Sequence, residues 1–165
     1  MKLYKNYIDG KWLESESKDI IQVDDPATGK IIGEISCAKK NEVDIAVAAA
    51  KKSFNSRVLV DMPLLDRARL MHRIADETRK IADEGGKILC YENGKVLGSA
   101  IKEFHDVADI FDYYAGLTDK LEGKTIPVSP TIFDYTVLEP FSTCCSVELS
   151  HINGWKISRM FFCNR

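Results

Sequence analysis

The sequence has no apolar run approaching the roughly 20 residues that a membrane-spanning helix needs, and no strong excess of charge of either sign. Its 23 Lys and Arg stand against 25 Asp and Glu, a formal net charge of −2. That balance removes the electrostatic reason to expect nucleic acid or an anionic membrane as a partner. A secretory leader is missing too, because Met1-Lys2-Leu3-Tyr4-Lys5-Asn6 is followed by Asp9 before any apolar stretch develops. Metal-like cysteine spacing is absent. Cys37, Cys90, Cys144, Cys145 and Cys163 are scattered, and an odd number without a leader is the pattern of reduced thiols. His72, His105 and His151 have no Cys, Asp or Glu partner at ligand spacing on a shared face, which argues against a histidine metal centre. No internal repeat or low-complexity linker divides the chain. What these absences leave is a cytoplasmic globular protein, with 165 residues and 45% hydrophobic content, enough for one core.

What is present begins with strands and turns. Tyr7-Ile8 and Lys11-Trp12 flank Asp9-Gly10, a dipeptide that tolerates positive φ and closes a two-residue hairpin. Ile20-Ile21-Gln22-Val23 reads as a second short strand, and Pro26-Ala27-Thr28-Gly29 supplies turn chemistry after it. The isoleucine-rich stretch from Lys30 to Ile35 gives a third. Helical spacing then takes over. Asn41 is placed to cap a first helix, with Asp44 in the capping-box position and Val43, Ala46, Val47, Ala50 and Phe54 along one face. A second helix begins around Pro63, with Leu64, Ala68, Met71, Ile74, Thr78 and Ile81 as its stripe. The longest is predicted from Val96 to Leu121, with Leu97, Ile101, Phe104, Ala108, Phe111 and Ala115 on one face. Gly123 and Pro127 end it, and residues 131–138 form a β-branched and aromatic strand. After Pro140 neither period persists, and a chain stopping at Arg165 with exposed aromatics and a cysteine is expected to be incomplete.

Taken in order, these signatures resemble the aldehyde dehydrogenase superfamily from near residue 4 to Pro140. Tyr7-Ile8-Asp9-Gly10-Lys11-Trp12 is similar to that family's opening hairpin, and Asp25-Pro26-Ala27-Thr28-Gly29 to its N-P-A-T-G turn. Arg67-Ala68-Arg69-Leu70 is similar to its E-R-A-R-L helix, and Glu92-Asn93-Gly94-Lys95 to its E-N-G-K turn. Tyr113-Tyr114-Ala115-Gly116-Leu117 and Leu121-Glu122-Gly123-Lys124 match its long helix and exit. Each motif is weak, but all of them in the right order and at the right spacing make the match specific. The resemblance implies an α/β fold: an N-terminal fragment of a Rossmann-like NAD(P)-binding domain with a β-hairpin start, three to four helices and one oligomerisation strand. On this reading residues 1–124 belong to the cofactor domain, 125–140 to the oligomerisation strand, and 141–165 to an aberrant or truncated tail. The implied activity is NAD- or NADP-dependent oxidation of an aldehyde to a carboxylic acid. A cysteine nucleophile, an oxyanion-binding asparagine and a water-activating glutamate carry it. A homo-oligomer through residues 131–140 is also implied.

Three departures qualify the match. The family's P-W-N does not follow Phe141, although Trp155-Lys156-Ile157-Ser158 resembles its later W-K-I-A-P segment. A reading-frame slip near residue 142 is the hypothesis that fits; a clean gene ending at Arg165 on resequencing would count against it. The family's cysteine, glutamate and cofactor contacts fall beyond the matching region. No catalytic or cofactor-binding residue is therefore assigned, and no NAD or NADP is expected on this chain alone. Finally, Gly85-Gly86 stands where the family has a Leu-Ala type pair. Two helical glycines cost about 1 kcal/mol each, and a lost core leucine roughly 1.5–3 kcal/mol more. The alternative reading is a non-catalytic fragment that is a decayed product or pairs with intact subunits.

Two sets of residues are candidates for sites. Glu103, Asp106 and Asp109 recur at i, i+3 on the long helix, and a solvated acidic face is the favoured reading. The resemblance, closest to betaine- and aminoaldehyde-type enzymes, instead implies that Glu103 and Asp106 line a substrate tunnel and attract cationic aldehydes. It also implies a monovalent-cation site built from backbone carbonyls at Val23 and Asp24 and the Glu92 carboxylate; Asp24 and Asp25 are equally explained as turn residues. Cys90, among Ile88, Leu89 and Tyr91, reads as a structural thiol.

Overall fold

The computed structural model describes residues 2–140; the tail with Cys144, Cys145, His151, Trp155 and Cys163 lies outside the described residues. The architecture is α/β. Strand β1 (Leu3–Tyr4) runs parallel to β5 (Ile31–Ser36), and β4 (Ile20–Asp24) pairs with β5 from the other side in antiparallel fashion. Between them, β2 (Asn6–Ile8) and β3 (Lys11–Leu13) form the expected hairpin, with Tyr7 opposite Trp12. Asp9 and Gly10 take φ of 49° and 78°, the left-handed pair that a two-residue turn requires. The Tyr7 and Trp12 rings meet at 5.0 Å between centroids, tilted by 54°, on this exposed hairpin.

Four helices follow rather than the three read from periodicity. Helix α1 (Lys40–Asn55) starts before Asn41, so Asn41 is inside the helix and not its cap. Glu42, not Asp44, supplies the returning carboxylate: its Oε2 accepts from the Lys39 amide at 3.0 Å. The other oxygen accepts from the Glu16 amide and the Ser15 hydroxyl, each at 2.8 Å, which ties the helix start to the segment after β3. These bonds, the Glu16 amide first and the Ser15 hydroxyl next, hold the buried Glu42 carboxyl down at about 2. Three donors converging on one side chain outweigh what Asn41 offers as a cap.

Helix α2 (Leu64–Lys80) follows Pro63 as expected, and the break at Ile81 leads directly into α3 (Ala82–Asn93). Helix α4 (Leu97–Ala115) packs against both and is shorter than the predicted span to Leu121, because tight turns replace the helix after Gly116. The core joins Ala75 of α2 to Val107, Ala108 and Phe111 of α4, with Met71 and Ile74 packed around them. Ala75 and Ala108 are fully buried, which lets two helix backbones approach closely. The ends of the predicted α2 stripe, Leu64 and Ile81, are exposed instead.

The single strand expected at 131–138 is one arm of a hairpin. Strand β6 (Thr125–Ser129) pairs antiparallel with β7 (Ile132–Tyr135), and every residue of both is exposed. No helix among the described residues is long and apolar enough to cross a membrane.

Candidate functional site

Between α3 and the three-stranded sheet lies a cavity of about 330 Å³, lined by Tyr4, Val23, Ile32, Ile35, Tyr91 and Glu92 among others. Gly33 sits in the same wall, where a Cβ would come within 3.2 Å of the Tyr4 ring. The bare backbone there lets the ring lie along the sheet. Val23 is buried at the end of β4, where the ladder to β5 shifts register between Val23 and Asp24. Such an irregularity leaves backbone groups outside the regular ladder.

Two turns close one side of this region. In the first, both carboxylate oxygens of Asp25 are used: one accepts from the Ala27 amide at 2.9 Å, the other from the Thr28 hydroxyl at 2.8 Å. The Thr28 hydroxyl and then the Ala27 amide hold the Asp25 carboxyl below its ordinary value. An aspartate therefore serves well where the resembling motif has asparagine. In the second turn Gly94 ends α3 with φ of +66°, and its amide donates to the Cys90 carbonyl at 2.9 Å. A Cβ on Gly94 would lie 3.2 Å from Pro26, so the Asp25–Gly29 turn and the Glu92–Lys95 turn touch. Sequence positions nearly seventy apart are thus brought together, at roughly the separation a compact domain allows.

Two of the three candidate cation ligands border the same cavity. Val23 and Glu92 line one cavity, while Asp24 is exposed and does not line it. Among the described residues no group of three or more His, Cys, Asp or Glu is placed to hold a metal ion. Apart from Glu92, the side chains that line this cavity are aliphatic or aromatic.

The acidic residues of α4 are all paired. Glu103, mostly buried, forms an ion pair with Lys95 of the Glu92–Lys95 turn, and its Oε2 is buried without a hydrogen-bond partner. Asp106 pairs with Lys102 one turn earlier at 2.5 Å. Asp109 accepts from Arg79 of α2 at 2.7 Å, and Arg79 also reaches Asp112 at 2.6 Å. His72 adds a contact to Asp112 at 2.6 Å, so α2 and α4 are clamped by side chains on one flank. Lys95 is the partner that sequence reading missed. Its signal was faint: a lysine in a turn eight residues before a glutamate, a separation with no helical periodicity.

One common dinucleotide-binding motif is a glycine-rich turn leading from a strand to a helix N-terminus. Among the described residues, α1 is entered from β5 through Cys37-Ala38-Lys39, and the other helices are entered from loops or from the preceding helix. Among the described residues, Cys37 and Cys90 are free, partly buried thiols.

The aldehyde dehydrogenase family model matches residues 12–148. Among solved structures, an NAD-dependent aldehyde dehydrogenase from Sinorhizobium meliloti is 32% identical, with a TM-score of 0.71, covering 77% of this chain and 26% of that one. An aldehyde dehydrogenase from Bacillus cereus in complex with NAD+ is 27% identical, with a TM-score of 0.76, covering 81% of this chain and 28% of that one. A point mutant of betaine aldehyde dehydrogenase from Staphylococcus aureus, also with NAD+, is 28% identical, with a TM-score of 0.71 and coverage of 77% and 25%. The chain thus spans about a quarter of the length of the structures it matches. From the opening hairpin through the two touching turns to the long α4 helix, this chain belongs to the aldehyde dehydrogenase family and carries the N-terminal portion of its NAD-binding domain fold.

Proposed function

We propose that this chain is the N-terminal part of an NAD(P)-dependent aldehyde dehydrogenase that oxidises an aldehyde to a carboxylic acid, and that these 165 residues do not perform the reaction alone. The observation that supports the second half is that, among the described residues, no glycine-rich turn leads from a strand into a helix. Isothermal titration with NAD and with NADP should give no heat of specific binding, and no aldehyde should be turned over above blank. Micromolar cofactor binding, or measurable turnover, would sink this reading.

The same reading assigns Val23, Asp24 and Glu92 to a monovalent cation, as the family resemblance implies. Support comes from the shared cavity and from the register shift at Val23 and Asp24. It also assigns residues 131–140 to self-association. Every residue of β6 and β7 is exposed, Phe133 at 77%, which favours an interaction role for this hairpin.

Glu103 and Asp106 remain candidates for a substrate path in a complete enzyme, one that would prefer aldehydes bearing an amine or quaternary ammonium. Because Lys95 and Lys102 already neutralise them, the preference should be modest, roughly two- to tenfold in kcat/KM. A Glu103→Gln, Asp106→Asn double variant grafted into a complete relative should then lose activity on betaine aldehyde but not on hexanal. Equal effects on both substrates would return these residues to a solvated face.

A further inference from the structure

We infer that two copies of this chain pair through the outer edge of β7, antiparallel about Tyr135, and that the outer edge of β6 takes no part. This rests on the self-association reading of residues 131–140 given above.

The hydrogen bonds within the hairpin fix which backbone groups are already used. The Thr136 amide donates to the Lys124 carbonyl at 2.9 Å, and the Lys124 amide donates to the Thr136 hydroxyl at 2.7 Å. Both residues therefore turn their backbone groups inward, towards the other strand. Backbone groups alternate sides along a strand, so Asp134 and Ile126, which lie opposite one another, also face inward. The residues between them face outward: Phe133 and Tyr135 on β7, Thr125 and Pro127 on β6. Proline has no N–H, so the outer edge of β6 lacks a donor at its middle and carries a ring there instead. Strand β7 has no proline, and both Phe133 and Tyr135 present a donor and an acceptor. Among the described residues neither outer edge has a further strand against it.

The β7 edge also suits its own copy. About Tyr135 the sequence is palindromic in character: Asp134 mirrors Thr136, Phe133 mirrors Val137, and Ile132 mirrors Leu138. In an antiparallel pair centred there, Tyr135 exchanges both hydrogen bonds with its counterpart, apolar side chains meet apolar ones, and Asp134 meets a threonine. Centring on Asp134 would instead set two carboxylates opposite one another in the close, non-hydrogen-bonded pair. Centring on Phe133 would draw the turn at Pro130 and Thr131 into the ladder. The favoured register gives a sheet in the order β6, β7, β7, β6, with Pro127 on both outer edges, so assembly closes at a dimer.

Sedimentation velocity of the 165-residue chain over a dilution series should show a monomer–dimer equilibrium that goes no further. Amide hydrogen exchange on the same samples should show Phe133 and Tyr135 gaining protection as dimer forms, while Thr125 on the β6 edge gains none. Tyr135→Pro removes an outward donor from each copy and should raise the dimer dissociation constant roughly tenfold or more. Thr125→Pro, the equivalent change on β6, should leave the constant near native, and Tyr135→Val, which keeps the donor, should retain most of the affinity. Protection at Thr125, protection at neither edge, growth beyond the dimer, or equal losses in Tyr135→Val and Tyr135→Pro would each overturn the β7 edge while leaving self-association standing. A monomer at every concentration overturns the self-association reading itself.

Discussion

At Gly86 a single added methyl group would meet a neighbouring helix backbone. A Cβ there would lie 2.5 Å from Ile101 Cγ1 and 2.9 Å from both its Cα and N, so α4 as a whole would have to move. A Cβ on Gly85 would overlap the Phe104 ring. The two glycines that look like a stability penalty in the sequence are thus the condition for α3 and α4 to pack. Gly86→Ala should destabilise the chain by about 1–3 kcal/mol through overpacking, more than the propensity gain of about 1 kcal/mol. Urea unfolding checks this, and a neutral or raised midpoint would contradict it. Glu42 makes a different residue-scale prediction. Its folded-state carboxyl titrates near 2, below the ordinary 4.5, so its contribution is full above the unfolded value and is lost as pH falls from about 4.5 towards 2. Glu42→Gln should flatten the acid limb of the stability curve in that window. An unchanged limb in the variant would mean that other carboxylates govern acid unfolding.

Between elements, α2 and α4 are joined twice, by the apolar contact of Ala75, Val107, Ala108 and Phe111 and by the Arg79 clamp onto Asp109 and Asp112. The first dominates, since Phe111 is 7% exposed. Phe111→Ala should cost about 3–5 kcal/mol, read from chemical denaturation; a loss below 1 kcal/mol would mean this cluster is not the centre of stability. Arg79→Met should lower Tm at low salt and converge on the native value at high salt, because these side chains are partly solvated. A salt-independent deficit would point to lost packing by the arginine stem. This scale also shows what the sequence could and could not tell. The opening hairpin was legible because Asp9-Gly10 can adopt only a few turn shapes. Helix α4 was legible through Phe104, Ala108, Phe111 and Ala115, whose spacing matches the contact made. Helix α3 was not read from periodicity because Gly85 and Gly86 stand where side chains would have completed a stripe, and close backbone approach leaves no pattern of large residues. Strand β6 was missed for the opposite reason: Pro127 reads as a breaker, yet it is tolerated in a two-stranded ribbon with free edges. The Glu92 turn was found by resemblance alone. Its contact with Pro26 and its anchor to Glu103 through Lys95 are tertiary, and no local pattern encodes them.

Across the whole molecule, large apolar side chains are distributed over the surface more than inside it. Ile132, Phe133 and Tyr135 on the two-stranded ribbon, and Val137 and Leu138 just after it, are each more than half exposed, and a two-stranded ribbon leaves backbone groups on its outer edges open to pairing. The chain should therefore associate as its concentration rises. Size-exclusion chromatography over a dilution series should show the shift, and Phe133→Lys should reduce it; a sharp monomer at every concentration would contradict the expectation. The seat that Gly85 and Gly86 provide for Phe104 and Ile101 has a mechanical consequence. A ridge lodged in a notch of bare backbone can neither slide along it nor roll within it, so α3 and α4 behave as one lever arm rather than two helices in contact. Amide hydrogen exchange should accordingly show α3 and α4 opening as one unit with a common free energy, and Gly86→Ala should uncouple them.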